Sequence, residues 1–309
     1  MRPLSLHTLD LTGLLARRPK GRPLLLDGGM GSALIAAGLA RGEPPERWTL
    51  DRPEEVERVH RGFLDAGSEV VQSNTFGGNE LALARHGLAD RAEEINRAGV
   101  AIARRAAEQA EAQDGLRRLV AGNIGPSGLV TREAELDLAA LTGAFGRQAA
   151  ALASGGADLL CIETMYDLRE ALCALRGARS ATGLPVTVCL TVQRGDQGFV
   201  TLAGNPMQDA ARALVEAGAT AVGLNCSEGS GALLQATPLL LAACDVPVLI
   251  KPNAGLPEET ARGLVYRQAP EDFARDVAEA ARLGAAAVGG CCGADARFIA
   301  ALARALGSA

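Results

Sequence analysis

The chain has 309 residues, 48% of them hydrophobic, enough to bury a large core in one domain of alternating strands and helices. A net charge of -5 with basic residues scattered rather than striped excludes a nucleic-acid surface, and no apolar run reaches the roughly 20 residues that span a bilayer. Residues 1–20 lack the apolar segment and small-residue cleavage site of a secretory signal, so a cytoplasmic protein with no membrane partner is expected.

In chain order, residues 1–21 read as a lead-in segment, and the first apolar strand falls at 24–26. Further strands are expected at 69–73, 119–122, 159–162, 186–191, 221–224, 246–250 and 285–288, eight in all. Helical patterns at 54–64, 91–111, 136–153, 168–181, 206–216, 231–243, 270–282 and 294–306 separate and follow them. Four helices end in a small or apolar residue and Gly just before a strand: Ala66-Gly67, Gly155-Gly156, Ala217-Gly218 and Leu283-Gly284. That is the short αβ turn, with Gly as the helix C-cap. Strands that are apolar throughout and alternate with helices indicate a parallel sheet buried on both faces. Eight such units favour an α/β fold of the (β/α)8 TIM-barrel type over residues 22–309, with the active site at the C-terminal ends of the strands. The longest proline- and charge-rich interruptions, 40–49 and 255–268, are expected to be mobile or donor-facing loops.

Polar and reactive residues do cluster after the strands. Asp27-Gly28-Gly29-Met30-Gly31-Ser32 follows the first, Ser73-Asn74-Thr75-Phe76 the second and Gly122-Asn123-Ile124-Gly125-Pro126 the third. Glu163-Thr164, Asn225-Cys226, Lys251-Pro252-Asn253-Ala254-Gly255 and Cys291-Cys292 follow the fourth, sixth, seventh and eighth. The doublet Cys291-Cys292 lies among glycines, and Cys226 sits in a similar polar turn. Zinc accepts soft thiolates, and three protein ligands with one open position is a catalytic pattern. Adjacent cysteines point to opposite faces of a regular strand, so Gly293 has to bend the backbone. A redox pair of vicinal thiols and plain buried cysteine also fit this spacing. Cys161, Cys173, Cys189 and Cys244 lie in or beside apolar segments and read as core.

Asp27 and Glu163 are carboxylates placed directly after apolar strands, where a lone charge is costly unless a cation pairs with it. A substrate ammonium would satisfy both; helix capping or pairing with an arginine such as Arg169 is the structural alternative. The glycines after Asp27 lack the lysine of a P-loop and the spacing of a dinucleotide fingerprint.

Taken in order, Asp27-Gly28-Gly29-Met30-Gly31, Ser73-Asn74-Thr75-Phe76, Gly122-Asn123-Ile124-Gly125-Pro126, Ile162-Glu163-Thr164, Gly223-Leu224-Asn225-Cys226 and Gly289-Gly290-Cys291-Cys292-Gly293 resemble the homocysteine S-methyltransferase family over residues 22–306. The resemblance implies a zinc ion held by Cys226, Cys291 and Cys292, and homocysteine as the methyl acceptor. It also implies that Asp27 and Glu163 hold the substrate amino group, while backbone N–H groups of Ser73 to Phe76 receive its carboxylate, with Gly28 and Asn225 lining the same pocket. The activity implied is methionine formation by attack of the zinc-bound thiolate on a methyl donor.

For the donor, the resemblance points in more than one direction. Lys251 to Pro257 and Gly122 to Gly128 are most similar to the homocysteine-binding barrel of cobalamin-dependent methionine synthase, yet His7, His60 and His86 form no D-x-H-x-x-G corrinoid motif. A methylcorrinoid donor is therefore expected free or on a separate corrinoid protein. Residues 52–76 are similar instead to betaine-homocysteine methyltransferase, whose quaternary ammonium donor calls for an aromatic cage, with Trp48, Tyr166 and Tyr266 as the candidates in a chain that is 3% aromatic. A methylsulfonium donor completes the set. A non-catalytic subunit that binds homocysteine and zinc, or a thiol-redox protein on the same scaffold, are the readings from other classes.

Overall fold

The strand–helix alternation closes into a barrel in the computed structural model, which describes residues 10–16, 22–129, 137–196, 198–260 and 263–307. The barrel strands are β1 (Leu24–Leu25), β2 (Val70–Gln72), β3 (Leu119–Ile124), β4 (Leu159–Met165), β5 (Val186–Leu190), β6 (Ala221–Cys226), β7 (Val248–Pro252) and β8 (Ala287–Val288). They form one parallel sheet in the order β1-β8-β7-β6-β5-β4-β3-β2, and a parallel bridge from Leu26 to Val70 joins its two edges. All eight expected strands are present. Four of the αβ turns place Gly67, Gly156, Gly218 and Gly284 at positive φ (92° to 128°), the conformation that only glycine adopts without strain.

Side chains alternate across each strand, and the alternation sorts the core. Leu25, Val71, Val120, Leu160, Ile162, Val188, Val222, Ile250 and Val288 point outward and pack beneath the helices. Leu24, Leu26, Val70, Leu119, Ala121, Leu159, Cys161, Cys189, Ala221, Leu249 and Ala287 fill the interior, joined by Leu11 and Leu15 of the short helix Leu11–Ala16. Two residues further along each strand, the inner stripe turns polar. Leu159, Cys161 and Glu163 lie on one line, as do Leu119, Ala121 and Asn123, then Ala221, Gly223 and Asn225, then Leu249 and Lys251. The apolar floor and polar mouth of the barrel are thus consecutive steps of the same period-two pattern.

Several strands run further than expected, so Asn123, Glu163, Asn225, Cys226 and Lys251 belong to the strands themselves and are held by ladder hydrogen bonds. Two antiparallel hairpins interrupt the alternation: Val192–Gly195 with Gly198–Thr201, and Pro257–Thr260 with Gly263–Tyr266. The second occupies the segment expected to be an irregular loop. The interruption at 40–49 contains a 3-10 turn (Pro45–Arg47) and leads into the short helix Trp48–Asp51. Among the described residues, no helix is long and apolar enough to cross a membrane.

Candidate active site

Cys226, Cys291 and Cys292 meet at the C-terminal mouth. Their sulfur atoms all lie within 4.8 Å of one another, with Cys226 Sγ 3.0 Å from Cys291 Sγ and 3.9 Å from Cys292 Sγ. The backbone is bent to bring them there. Cys226 and Ser227 adopt φ of 52° and 64°, left-handed values that are costly for residues with a Cβ. Ser227 Oγ and Thr191 Oγ1 both donate to the Asn225 carbonyl, and Asn253 Nδ2 donates to that of Ser227. On the opposite side Gly293 turns at φ 79°, its amide donating to Ser32 Oγ. That turn places both adjacent cysteines toward the same centre.

The three thiols lie within hydrogen-bonding reach of one another. Hydrogen bonds from Cys226 and then Cys291 push the Cys292 thiol down, to about 3, whereas Cys226 is pushed well above the ordinary thiol range. A soft cation among the sulfurs would permit all three to ionise, which is the donor set and charge that suits zinc.

Below the thiols lies a buried layer of charge. Lys251 Nζ donates to Glu163 Oε2 at 3.1 Å and stands 3.8 Å from Asp27 Oδ1. Asp27 is 1% exposed, Glu163 6% and Lys251 2%. Glu163 also accepts from Asn123 Nδ2 at 2.9 Å, and Asp27 Oδ2 from the Gln72 amide at 2.6 Å. Asp27 Oδ1 has no hydrogen-bond partner among the described residues. Neither carboxylate caps a helix; Asp167 does, at the N-terminus of Leu168–Ala181, and Arg169 pairs with Asp167. The cation at the two carboxylates is Lys251, which carried no role in the sequence reading. With both carboxyls ionised, the layer carries one negative charge beyond the Lys251 ammonium.

Burial raises the Asp27 carboxyl to about 7, against the smaller opposing effect of Lys251. A carboxyl raised in the fold stabilises it below its unfolded value near 3.8, and that contribution is lost as pH climbs to about 7. Asp27→Asn does not titrate. Urea unfolding of metal-free protein is expected to show the variant gaining about 2–4 kcal/mol on wild type between pH 4 and pH 8. Parallel stability curves would contradict the assignment.

The remaining expected residues have separate places. A Cβ on Gly28 would lie 2.0 Å from the Ala294 carbonyl oxygen and 2.7 Å from Phe63, so Gly28 permits the first loop to pack on the segment after β8. Asn225 clamps Thr164, itself at φ 61°: its Oδ1 accepts from the Thr164 amide at 2.8 Å and its Nδ2 donates to Thr164 Oγ1 at 2.7 Å. Ser73 Oγ and Thr75 Oγ1 are 2.7 Å apart, and Thr75 donates to the Asn123 carbonyl. The Asn74 side chain turns away from the mouth to Pro45 and Thr49. Phe76 remains 38% exposed. The amides of Ser73 and Thr75 bond to Ala121 and Ser73, while those of Asn74 and Phe76 have no partner among the described residues. Asn96 and Gln148, two polar residues on the buried sides of helices, fix this loop from behind: Gln148 Nε2 donates to the Thr75 carbonyl and Asn96 Nδ2 to that of Gly78. Helical periodicity marks neither of them, because each is a single polar residue on an otherwise apolar face.

The sequence model of the homocysteine S-methyltransferase family matches residues 24–306. The chain belongs to that family. Among curated relatives of this family member, methionine synthase of Mycobacterium tuberculosis is 33% identical over 300 residues, and that of Mycobacterium leprae is 32% identical over 299. Each alignment covers 93% of this chain but 24% of the relative, so the chain spans about a quarter of their length. Among solved structures, the homocysteine methyltransferase MmuM of Escherichia coli in its metallated form superposes with a TM-score of 0.80 at 23% identity, covering 94% of this chain and 98% of that one. At that identity the likeness carries the barrel fold of the family and nothing finer.

Proposed function

We propose that this chain binds zinc through Cys226, Cys291 and Cys292 and transfers a methyl group to the sulfur of homocysteine, giving methionine. The observation that carries the reading is the convergence of three sulfurs within 4.8 Å above a buried acidic layer. Zinc held there supplies a positive charge that keeps a fourth, substrate sulfur ionised at neutral pH.

The chain's own groups bind and orient the acceptor. Asp27 Oδ1, buried and without a hydrogen bond among the described residues, accepts from the substrate ammonium, whose charge cancels the single negative charge of Asp27, Glu163 and Lys251. The amides of Asn74 and Phe76 receive the carboxylate. Gripped by both charged groups on its α-carbon, the amino acid presents its sulfur toward the three cysteines, and this orientation converts a bimolecular encounter into a positioned one. The sulfur forms a bond to the methyl carbon as the bond from carbon to the donor's leaving atom breaks, with the electron pair departing on the donor.

For the donor, we favour a methylcorrinoid or methylsulfonium compound over betaine: the Tyr266 ring lies over Gly293 beside the thiols, but Trp48 does not join it there. Trp48 is buried in a separate cluster with Leu34, Leu39, Val56 and Ile102, with the Arg52 guanidinium 4.6 Å from its ring. It is therefore no wall of a cage at the thiols. The test is methionine formation by reduced, zinc-loaded protein from homocysteine with methylcobalamin, S-methylmethionine, S-adenosylmethionine and betaine in turn. Turnover is expected with one of the first three and not with betaine. Protein that carries no stoichiometric zinc and forms no methionine with any donor would overturn the reading.

A further inference from the structure

An amino-acid ammonium carries three hydrogens, and the two carboxylates of the buried layer account for two of them. Asp27 follows β1 and Glu163 lies on β4, with β2 and β3 between them around the barrel. On β3 the inner stripe of Leu119 and Ala121 continues to Asn123, which is 6% exposed. Asn123 Nδ2 donates to Glu163 Oε1 at 2.9 Å. A carboxylate paired with Lys251 can only accept, so the amide nitrogen has to be the end that faces it, and Oδ1 is the end turned away. That oxygen is buried and has no hydrogen-bond partner among the described residues. Gln72 Nε2, a donor on the neighbouring β2, is likewise without one, so the two amides do not satisfy each other.

A buried acceptor left unmatched is costly, and a donor arriving with the substrate would remove that cost. The amide Oδ1 and Nδ2 share one carbon, so Oδ1 lies within about 5 Å of Glu163 Oε1, and one nitrogen ~2.9 Å from each oxygen reaches both. The main chain of the same residue serves the other half of the grip. Its amide donates to Ser73 Oγ at 3.1 Å and its carbonyl accepts from Thr75 Oγ1 at 2.8 Å, within the loop to which the substrate carboxylate is assigned.

We infer that Asn123 is a further substrate-binding residue: its Oδ1 takes the third hydrogen of the homocysteine ammonium, beside Asp27 Oδ1 and Glu163 Oε1. The inference rests on the homocysteine reading above. It makes the amide of Asn123 a determinant of selectivity for an α-amino group, while its backbone holds the loop on the carboxylate side.

Homocysteine binding to zinc-loaded protein, followed by titration calorimetry, tests this with two variants. Asn123→Ala removes the oxygen, and the dissociation constant is expected to rise roughly 10- to 100-fold with zinc content unchanged. Asn123→Asp keeps an oxygen in that place, and two carboxyls so close hold one proton between them, which stands in for the Nδ2 hydrogen. Its affinity is expected within about threefold of wild type. An equal loss in both variants would mean that Asn123 acts through Glu163 alone, and no loss in Asn123→Ala that its oxygen takes no part; either result overturns the inference and leaves the proposed function standing. Zinc-loaded wild type that binds no homocysteine would overturn the proposed function itself, and this inference with it.

Discussion

Cys226→Ala is expected to lower bound zinc from about one ion per chain to below about a tenth, and methionine formation by on the order of 10³-fold or more. Two thiols cannot replace three: Cys291 and Cys292 are adjacent in sequence and approach from one side, and Cys226 Sγ, 3.0 Å from Cys291 Sγ, closes the set from β6. With the cation gone, the homocysteine thiol keeps an ordinary value near 8.5 and is largely protonated at pH 7. The check is metal content by elemental analysis on reduced protein, beside a steady-state assay. A variant that retains stoichiometric zinc would show that the three sulfurs are not the ligand set.

Glu163→Gln acts on the acceptor and leaves the metal in place. In wild type, Glu163 and ionised Asp27 together outweigh Lys251 by one charge. The amide variant brings that balance to zero, with Lys251 turning to Asp27, and the substrate ammonium then has no net counter-charge in a site closed to water. Loss of one partner from a buried charge pair costs about 2–5 kcal/mol, so the KM for homocysteine is expected to rise by roughly 30- to 4000-fold. Zinc content and the KM for the methyl donor should be unchanged. Unaltered homocysteine affinity would remove Glu163 from the ammonium site and leave the thiol cluster standing.

Much of this site is legible in the residues alone. Asp27, Glu163, Cys226, Cys291 and Cys292 are each a reactive residue where an apolar strand ends, and a parallel barrel collects strand ends into one ring. Lys251 stands at an equivalent position and was still not assigned, because nothing local to β7 says that its ammonium reaches Glu163 on β4 and Asp27 beyond β1. The hairpin that carries Tyr266 escaped for a different reason. The strand Pro257–Thr260 is mostly exposed and polar, so the hairpin that carries Tyr266 has no one-sided apolar pattern and reads as loop. The hairpin from Val192 to Thr201 starts directly after the strand expected at 186–191 and carries no expected element of its own.

By itself the sequence determined the eight-fold alternation, the glycine-capped turns and the end of the barrel that carries the chemistry, since periodicity and helix capping act over a few neighbouring residues. Only the tertiary structure decided which groups meet: the three thiols within 4.8 Å of one another, and Lys251 between the carboxylates of Asp27 and Glu163. Those interactions fall off within a few ångströms and join residues far apart in the chain, so they exist only once closure of the barrel has brought β1, β4, β6, β7 and β8 around one centre.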